Sequence, residues 1–203
     1  MPYLVRAHPD AYGKQVLIAW EFSPDVFMDI LSKAVNGMDQ QKIKYDLLHE
    51  EKPTTDSRKL WKGTRGNDWS HVSILMMDRF KKKDEKVLET LAKRHTPAWT
   101  PQNYVFWNAN DGKNVIVALK LDYPPEAVAF EKEWRKYTGD RASPISGANK
   151  REFIPHATLF AVEAQDKEAV ENIMKGIKFP TGKIPTHAIQ VWNDYHVVDH
   201  ILV

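Results

Sequence analysis

The chain has 203 residues, of which 42% are hydrophobic and 28% charged, and this composition is typical of a globular protein with a packed core. It contains no cysteine, which excludes disulfides, thiol catalysis and zinc–thiolate sites and fits a reducing, cytoplasmic location. The formal net charge of +2 is too small to indicate a nucleic-acid scaffold, and no apolar stretch approaches the ~18 residues that a membrane span requires.

The first half of the chain is predicted to alternate strands with helices. Residues 14–22 (KQVLIAWEF) are rich in β-formers, and the following Ser-Pro-Asp is a helix-start signal before apolar residues at helical spacing. A mostly polar stretch then precedes an aliphatic strand. The predicted elements are a strand over 14–22, a helix over about 25–35, a helix over 40–50 within a long loop over 37–70, a strand over 71–77, a helix over 84–94 and a strand over 103–108.

The second half repeats this order and adds one strand. Two prolines followed by Glu126 open a helix, a Gly/Ser/Pro-rich loop comes before the next strand, and Asp166 is placed to cap the last helix. The predicted elements are a strand over 115–121, a helix over 124–137, a loop over 139–149, a strand over 153–162, a helix over 167–175, and strands over 184–192 and 195–203 joined by a turn at 193–194.

The two halves match in a His-x-Ser/Thr triplet, which opens the middle strand each time. The triplets are His71-Val-Ser73 and His156-Ala-Thr158. Their places in the element order indicate an internal duplication with a period of about 85 to 100 residues. We therefore expect one α+β domain over 1–203, built from duplicated β-α-β-α-β lobes over about 14–110 and about 113–203.

The triplets carry the chemistry for cleaving a phosphodiester. Residues i and i+2 of a strand share a face, so each triplet presents an imidazole beside a hydroxyl. Two imidazoles can supply a base for the attacking water and an acid for the leaving oxygen. The hydroxyls can donate hydrogen bonds to the non-bridging oxygens. This chemistry needs no metal, and neither a metal nor another cofactor is predicted. The plainer alternative is two hydrogen-bonded histidines at strand ends.

Residues 71–74 (HVSI) and 153–159 (FIPHATL) resemble the two motifs of the 2H phosphoesterase superfamily. In element order the resemblance covers about 14–203. It implies two antiparallel sheets around a central cleft, with the helices outside. It also implies that His71 and His156 are the catalytic acid–base pair, with His156 as base and His71 as acid, and that Ser73 and Thr158 hold the phosphate.

One position bears on the substrate. Superfamily members act on 2′,3′-cyclic phosphates, RNA ends, cyclic nucleotides or cyclic oligonucleotides. Bacterial RNA 2′,3′-cyclic phosphodiesterases often carry Arg five residues beyond the second His, where this chain has Ala161. A 3′,5′-cyclic nucleotide or cyclic oligonucleotide is therefore expected, as for the phage anti-CBASS phosphodiesterases, which the pattern also resembles. An RNA 2′,3′-cyclic phosphodiesterase or RNA-end enzyme, an inactive nucleotide-binding protein and a structural domain with accidental triplets are the alternatives.

Aromatic residues on the predicted strands are candidates for stacking on substrate bases. The candidates are Trp192, Tyr104 and Trp107, with Trp192 as the first choice, and strand alternation lets only part of the aromatic residues face the cleft. A metal site at His196, Asp199 and His200 is not expected, because regular alternation places the carboxylate on the other face of the strand. The expected partner is a nucleotide or short oligonucleotide, with neither a membrane nor an obligatory protein partner.

Overall fold

The computed structural model describes residues 11–23, 25–47, 71–109, 112–144, 153–193 and 196–203. Within these residues the strands and helices follow the predicted order, with short strands added. The helices are α1 (Asp25–Gln40), α2 (Lys82–Arg94), α3 (Pro125–Thr138) and α4 (Lys167–Lys175). The strands are β1 (Val16–Phe22), β2 (Tyr45–Asp46), β3 (His71–Met77), β4 (Ala98–Trp99), β5 (Pro101–Asn108), β6 (Asn114–Leu121), β7 (Ala142–Pro144), β8 (His156–Glu163), β9 (Ile184–Asn193) and β10 (His196–Leu202).

The helix predicted over 40–50 is wrong within the described residues. Helix α1 continues to Gln40 and ends in a Schellman motif, in which Ile43 N–H donates to the Met38 carbonyl at 3.0 Å. Lys42 takes the left-handed position of that motif, with φ of 58°. The chain then reverses into β2. No glycine announces this turn in the sequence, and residues 48–50 of the prediction lie outside the described residues.

Two further local predictions need correction. The loop predicted over 139–149 contains a short 3₁₀ helix and then β7, which pairs with β3, and residues 145–149 lie outside the described residues. Helix α4 begins at Lys167 as predicted, but the Asp166 side chain makes no capping hydrogen bond, because a 3₁₀ turn leads into the helix instead. Residue 194 of the predicted final turn and residue 195 of the strand predicted after it also lie outside the described residues.

The strands form two antiparallel sheets that each draw on both halves of the chain. The first sheet has the order β10-β9-β1-β3-β7, with β4 also paired to β9, and the second has the order β2-β8-β6-β5. Strands β7, β9 and β10 thus cross from the second half into the first sheet, while β2 and β5 cross the other way. The equivalent pairs under a pseudo-twofold relation are β1 and β6, β3 and β8, β9 and β5, and β7 and β2. Each sheet therefore contains strands from both predicted lobes, on either side of the boundary expected between residues 110 and 113.

The helices pack on one face of each sheet, and the side chains between helices and sheets form the hydrophobic core. Trp20 of β1 lies edge-on to Phe130 of α3 with ring centroids 4.8 Å apart, and both side chains are fully buried. Helix α1 contacts α4, where a Cβ on Gly37 would lie only 2.8 Å from Cγ2 of Ile173. Helix α2 contacts α3. The opposite face of each sheet carries its half-buried triplet residues. Among the described residues, no helix is long and apolar enough to cross a membrane.

Candidate active site

The two triplets occupy equivalent positions on β3 and β8. His71, Ser73, His156 and Thr158 are all half-buried. The aliphatic side chains that alternate with them are buried in the core: Val72, Ile74, Ala157 and Leu159. This alternation follows the pleat of a strand with one face covered by helices. Strands β3 and β8 contact each other, so both triplets border the junction of the two sheets.

The neighbouring strand repeats the same pattern at both triplets. Ala19 pairs with Ser73 in the first sheet, and Ala118 pairs with Thr158 in the second. In both sheets the ladder then skips one residue of the histidine strand, with the shift between Ile18 and Ala19 in one and between Val117 and Ala118 in the other. Such a bulge bends a strand and redirects its side chains. The two alanines leave room for a ligand beside each hydroxyl.

Each histidine ring lies against a tryptophan ring. The centroids of His71 and Trp192 are 4.7 Å apart, and those of His156 and Trp107 are 4.6 Å apart in a T-shaped arrangement. The two tryptophans hold equivalent register positions. Trp192 lies in one cross-strand row with Leu17 and Met76. Trp107 lies in the corresponding row of the other sheet, with Ile116 and Ala161. The proposed duplication thus extends from the triplets to an aromatic partner for each.

The two tryptophans differ in exposure. Trp192 is only 6% exposed, and its indole N–H donates to the Gln190 side-chain oxygen at 2.9 Å. Trp107 is half-buried. Trp107 therefore offers more surface on which a base could stack, whereas Trp192 is placed mainly to hold the ring of His71.

Tyr104 is not brought to the histidines. It lies an odd number of residues from Trp107 on the same strand, so it faces the helix side of the sheet. Its ring packs edge-on against Phe179 with centroids 5.5 Å apart, and burial raises the pKa of its hydroxyl. We therefore do not retain Tyr104 as a stacking residue.

The residues opposite the two histidines differ in charge. Glu21 pairs with His71 and is buried, whereas Lys120 pairs with His156 and is half-buried. Directly paired residues of antiparallel strands share a face, with Cβ atoms about 5 Å apart. A carboxylate thus neighbours one imidazole and an ammonium the other. The site is duplicated in shape but asymmetric in charge.

A backbone hydrogen bond orients the His156 ring. Its Nδ1 lies 2.8 Å from the carbonyl oxygen of Ile154, and since a carbonyl only accepts, Nδ1 is the donor. Burial lowers the pKa of His156, and the bond to Ile154 opposes this shift only in part. The neutral ring then carries its free lone pair on Nε2.

No model of a protein family matches the chain, and no curated protein does. A solved structure of Kluyveromyces marxianus Usb1 with uridine monophosphate matches at 11% identity and a TM-score of 0.52, and the match covers 94% of this chain and 99% of the Usb1 chain. The chain has the Usb1 fold. A second structure of the same Usb1 matches at 13% identity and a TM-score of 0.48, over 95% of this chain and 99% of that one.

The Usb1 fold confirms the predicted α+β class, with two antiparallel sheets and helices outside. At this identity the likeness shows the fold alone. The alternation predicted for β3 and β8 matches the observed faces of the four triplet residues. The register partners Glu21 and Lys120 could not be predicted, because the pairing of distant strands has no local signal. The matching places of Trp107 and Trp192 near the ends of equivalent strands were the signal that could have linked each to its histidine.

The register of β10 against β9 shifts between Val197 and Asp199. The side chains of His196, Asp199 and His200 lie outside the described ones, so the expectation that they form no metal site stays a prediction. Where the structure describes side chains, no three His, Asp or Glu residues are grouped in a way that could hold a metal ion.

Proposed function

We propose that the chain is a metal-independent phosphodiesterase of the 2H type. The observation that carries this proposal is the matched geometry of the two His-x-Ser/Thr triplets. Each triplet has an alanine opposite its hydroxyl, a bulge at the same position and a tryptophan ring against its histidine. The two strands that carry the triplets contact each other where the sheets meet. In-line displacement at phosphorus needs a base and an acid on opposite sides of the phosphate. Two imidazoles related by a pseudo-twofold axis are suited to that geometry.

His156 is the proposed general base. Its Nδ1–H is engaged by the Ile154 carbonyl and its ring favours the neutral form, so Nε2 is available to take a proton from the attacking water. His71 is the proposed acid, which gives its proton to the leaving oxygen. A neighbouring carboxylate stabilises an imidazolium, and Glu21 stands in register with His71. The charge asymmetry thus supports the assignment expected from the sequence.

Ser73 and Thr158 are proposed to hold the phosphate. Their hydroxyls donate to the non-bridging oxygens, which gain negative charge in the transition state. Each is half-buried beside an alanine of the next strand, which leaves the hydroxyl accessible to a ligand. Stabilisation of this kind is usually a large part of catalysis.

The proposed substrate is a 3′,5′-cyclic nucleotide or cyclic oligonucleotide. The half-buried Trp107 beside His156 supports a substrate that carries a base. Alanine rather than arginine at position 161 favours a cyclic nucleotide or cyclic oligonucleotide over an RNA end with a 2′,3′-cyclic phosphate. The second candidate is an RNA end with a 2′,3′-cyclic phosphate, and the likeness to a structure solved with uridine monophosphate supports it.

A substrate panel tests the proposal. The purified protein is incubated with EDTA and with cyclic mono-, di- and trinucleotides and RNA ends bearing 2′,3′-cyclic phosphates, and products are separated by chromatography. We expect cleavage of at least one member. Either His71→Ala or His156→Ala should lower kcat/KM by about 10²- to 10⁴-fold, the usual contribution of a general acid or base.

The matched control is His95→Ala, because His95 directly follows α2 and its Nε2 lies 3.0 Å from a carboxylate oxygen of Glu133 on α3. It should keep wild-type activity. Absence of any cleavage by wild type, or full activity of either triplet variant, would contradict the proposed mechanism. Tight nucleotide binding without turnover would instead support the inactive nucleotide-binding alternative.

A further inference from the structure

A hollow lies on the second sheet, next to the row of residues that carries Trp107. Its volume is about 320 Å³, within the lower range of small-molecule sites. Ile116 and Ala161 line it, and Ile116 is the register partner of Trp107, whose ring contacts His156. Ile116 also shares a strand face with Ala118, the partner of Thr158. The hollow therefore adjoins the proposed phosphate site along one continuous sheet face.

The hollow breaks the pseudo-twofold relation between the sheets. The residue five positions beyond the first histidine is Met76, and the residue five positions beyond the second is Ala161. They hold equivalent register positions, opposite Leu17 and Ile116 respectively. A methionine side chain fills space that an alanine leaves open. Ala161 thus accounts for a depression on the second sheet at a place where the first sheet carries a long side chain.

The spacing suits one nucleotide. The Ala161 row lies two residues along β6 from the Thr158 row, about 7 Å at the rise of an extended strand. A phosphate held at Thr158 can therefore extend a ribose and base toward the hollow. Trp107 stands in the same row, beside the path that the base would take.

The lining favours a base over a second phosphate. Its titratable groups include two carboxylates, Asp46 and Glu163, against one ammonium, Lys44. Among the described lining residues, a phosphate would therefore meet more carboxylates than ammonium groups. Ile116 and Ala161 provide apolar contact for a flat ring, and the carboxylate oxygens can accept hydrogen bonds from an exocyclic amino group. Cytosine, adenine and guanine carry such a group, whereas uracil does not.

We propose that the hollow beside Ala161 binds an amino-bearing nucleobase of the substrate. The proposal rests on the proposed function, since it takes the phosphate to lie at the triplets. It makes Ala161 the residue that decides on which side of the phosphate a nucleoside is held. The first sheet, with Met76 in the equivalent place, then faces the other end of the substrate.

Calorimetric titration with cytidine monophosphate, uridine monophosphate and inorganic phosphate tests this inference. Wild type should bind cytidine monophosphate about tenfold or more tightly than inorganic phosphate, a difference of about 1.4 kcal/mol. Ala161→Met should remove most of that advantage and leave phosphate affinity unchanged. Met76→Ala, on the other sheet, is the matched control and should change neither affinity by more than about twofold.

A second variant guards against a simple packing defect. Glu163→Gln keeps the volume of the hollow, and it should weaken cytidine monophosphate several-fold while leaving uridine monophosphate and phosphate unchanged. Thermal unfolding of every variant is compared with that of wild type. An unchanged affinity for cytidine monophosphate in a folded Ala161→Met protein overturns the inference, while phosphate binding and the His71 and His156 results still stand. If the wild-type protein binds no inorganic phosphate, the proposed function itself is overturned.

Discussion

An indole packed against each imidazole restricts the proposed catalytic rings. Trp192 lies against His71 and Trp107 against His156, with centroid separations of 4.7 and 4.6 Å. A ring held on one side has fewer accessible rotamers than a surface histidine. Proton transfer then takes place from a fixed position, and little ordering remains to be done when the substrate arrives. The tryptophans contribute to positioning even where they do not touch a base.

The lowered pKa of His156 predicts where activity is lost in acid. Protonation of the proposed base would abolish its function, so the acidic limb of kcat/KM should have its midpoint below the ordinary histidine value of 6.5. The measurement is a pH–rate profile together with NMR titration of the ring protons, assigned with His156→Ala.

The same shift has a consequence for stability. The folded state resists protonation of His156, so the contribution of this residue to stability is present above the unfolded pKa of about 6.5 and is lost as the pH falls toward the lower folded pKa. A ring of His156 that titrates above 6.5 in the folded protein would contradict the assignment of this residue as the neutral base.

At the scale of elements, one buried carboxylate joins α2 to the end of α3. Asp84 is fully buried and accepts two hydrogen bonds from the Arg141 guanidinium, at 2.8 and 3.1 Å. It also accepts from the hydroxyl of Tyr137 and the backbone N–H of Lys81. Burial alone would raise its pKa, but these donors lower it overall. The start of one helix is thereby fixed to the turn that leads into β7.

Loss of this carboxylate should destabilise the fold. Asp84→Ala leaves the largely buried Arg141 without its partner, and the expected cost is about 3 kcal/mol in the free energy of unfolding. Glu89→Ala on the same helix is the control, because Glu89 makes an exposed pair with Lys93 and should cost less than about 0.5 kcal/mol.

Urea unfolding of both variants checks this prediction, and equal midpoints would contradict it. The pH dependence has a defined sign as well. Because the folded pKa of Asp84 is lowered, its contribution is present above the unfolded value of 3.8 and is lost as the pH falls through the folded pKa. Asp84→Ala should therefore lose less stability than wild type on acidification.

The sequence predicts elements better than it predicts their ends and partners. Strand β3 was predicted with its observed bounds, since His71–Met77 is an aliphatic run between polar segments. The end of α1 could not be predicted, because Lys42 takes the left-handed conformation that glycine usually occupies at the end of a helix. The pairing of Glu21 with His71 depends on two strands about fifty residues apart, and periodicity carries no information about such register.

At the scale of the whole molecule, neither half of the chain contains a complete sheet. Residues 1–110 lack β7, β9 and β10 of the first sheet, and residues 113–203 lack β2 and β5 of the second. We expect each half, expressed alone, to show no cooperative unfolding by circular dichroism and tryptophan fluorescence. A full-length chain cleaved between residues 110 and 111 should remain cooperative, because all strand partners are present.

The intact chain is the reference for that comparison. Cooperative unfolding of either isolated half would show that the exchanged strands are dispensable. Native pairing restored when the two halves are mixed would show that the covalent link is not what holds them together.

The exchange of strands also sets the order of events during synthesis. Leu17 of β1 pairs with Trp192 of β9, a separation of 175 residues. At ~5–20 residues per second, about 9 to 35 s pass on the ribosome before the partner strand is made. Throughout that interval one edge of β1 has no native neighbour and can pair with another nascent chain. The time needed to translate the chain therefore sets how long this strand edge stays without its native neighbour.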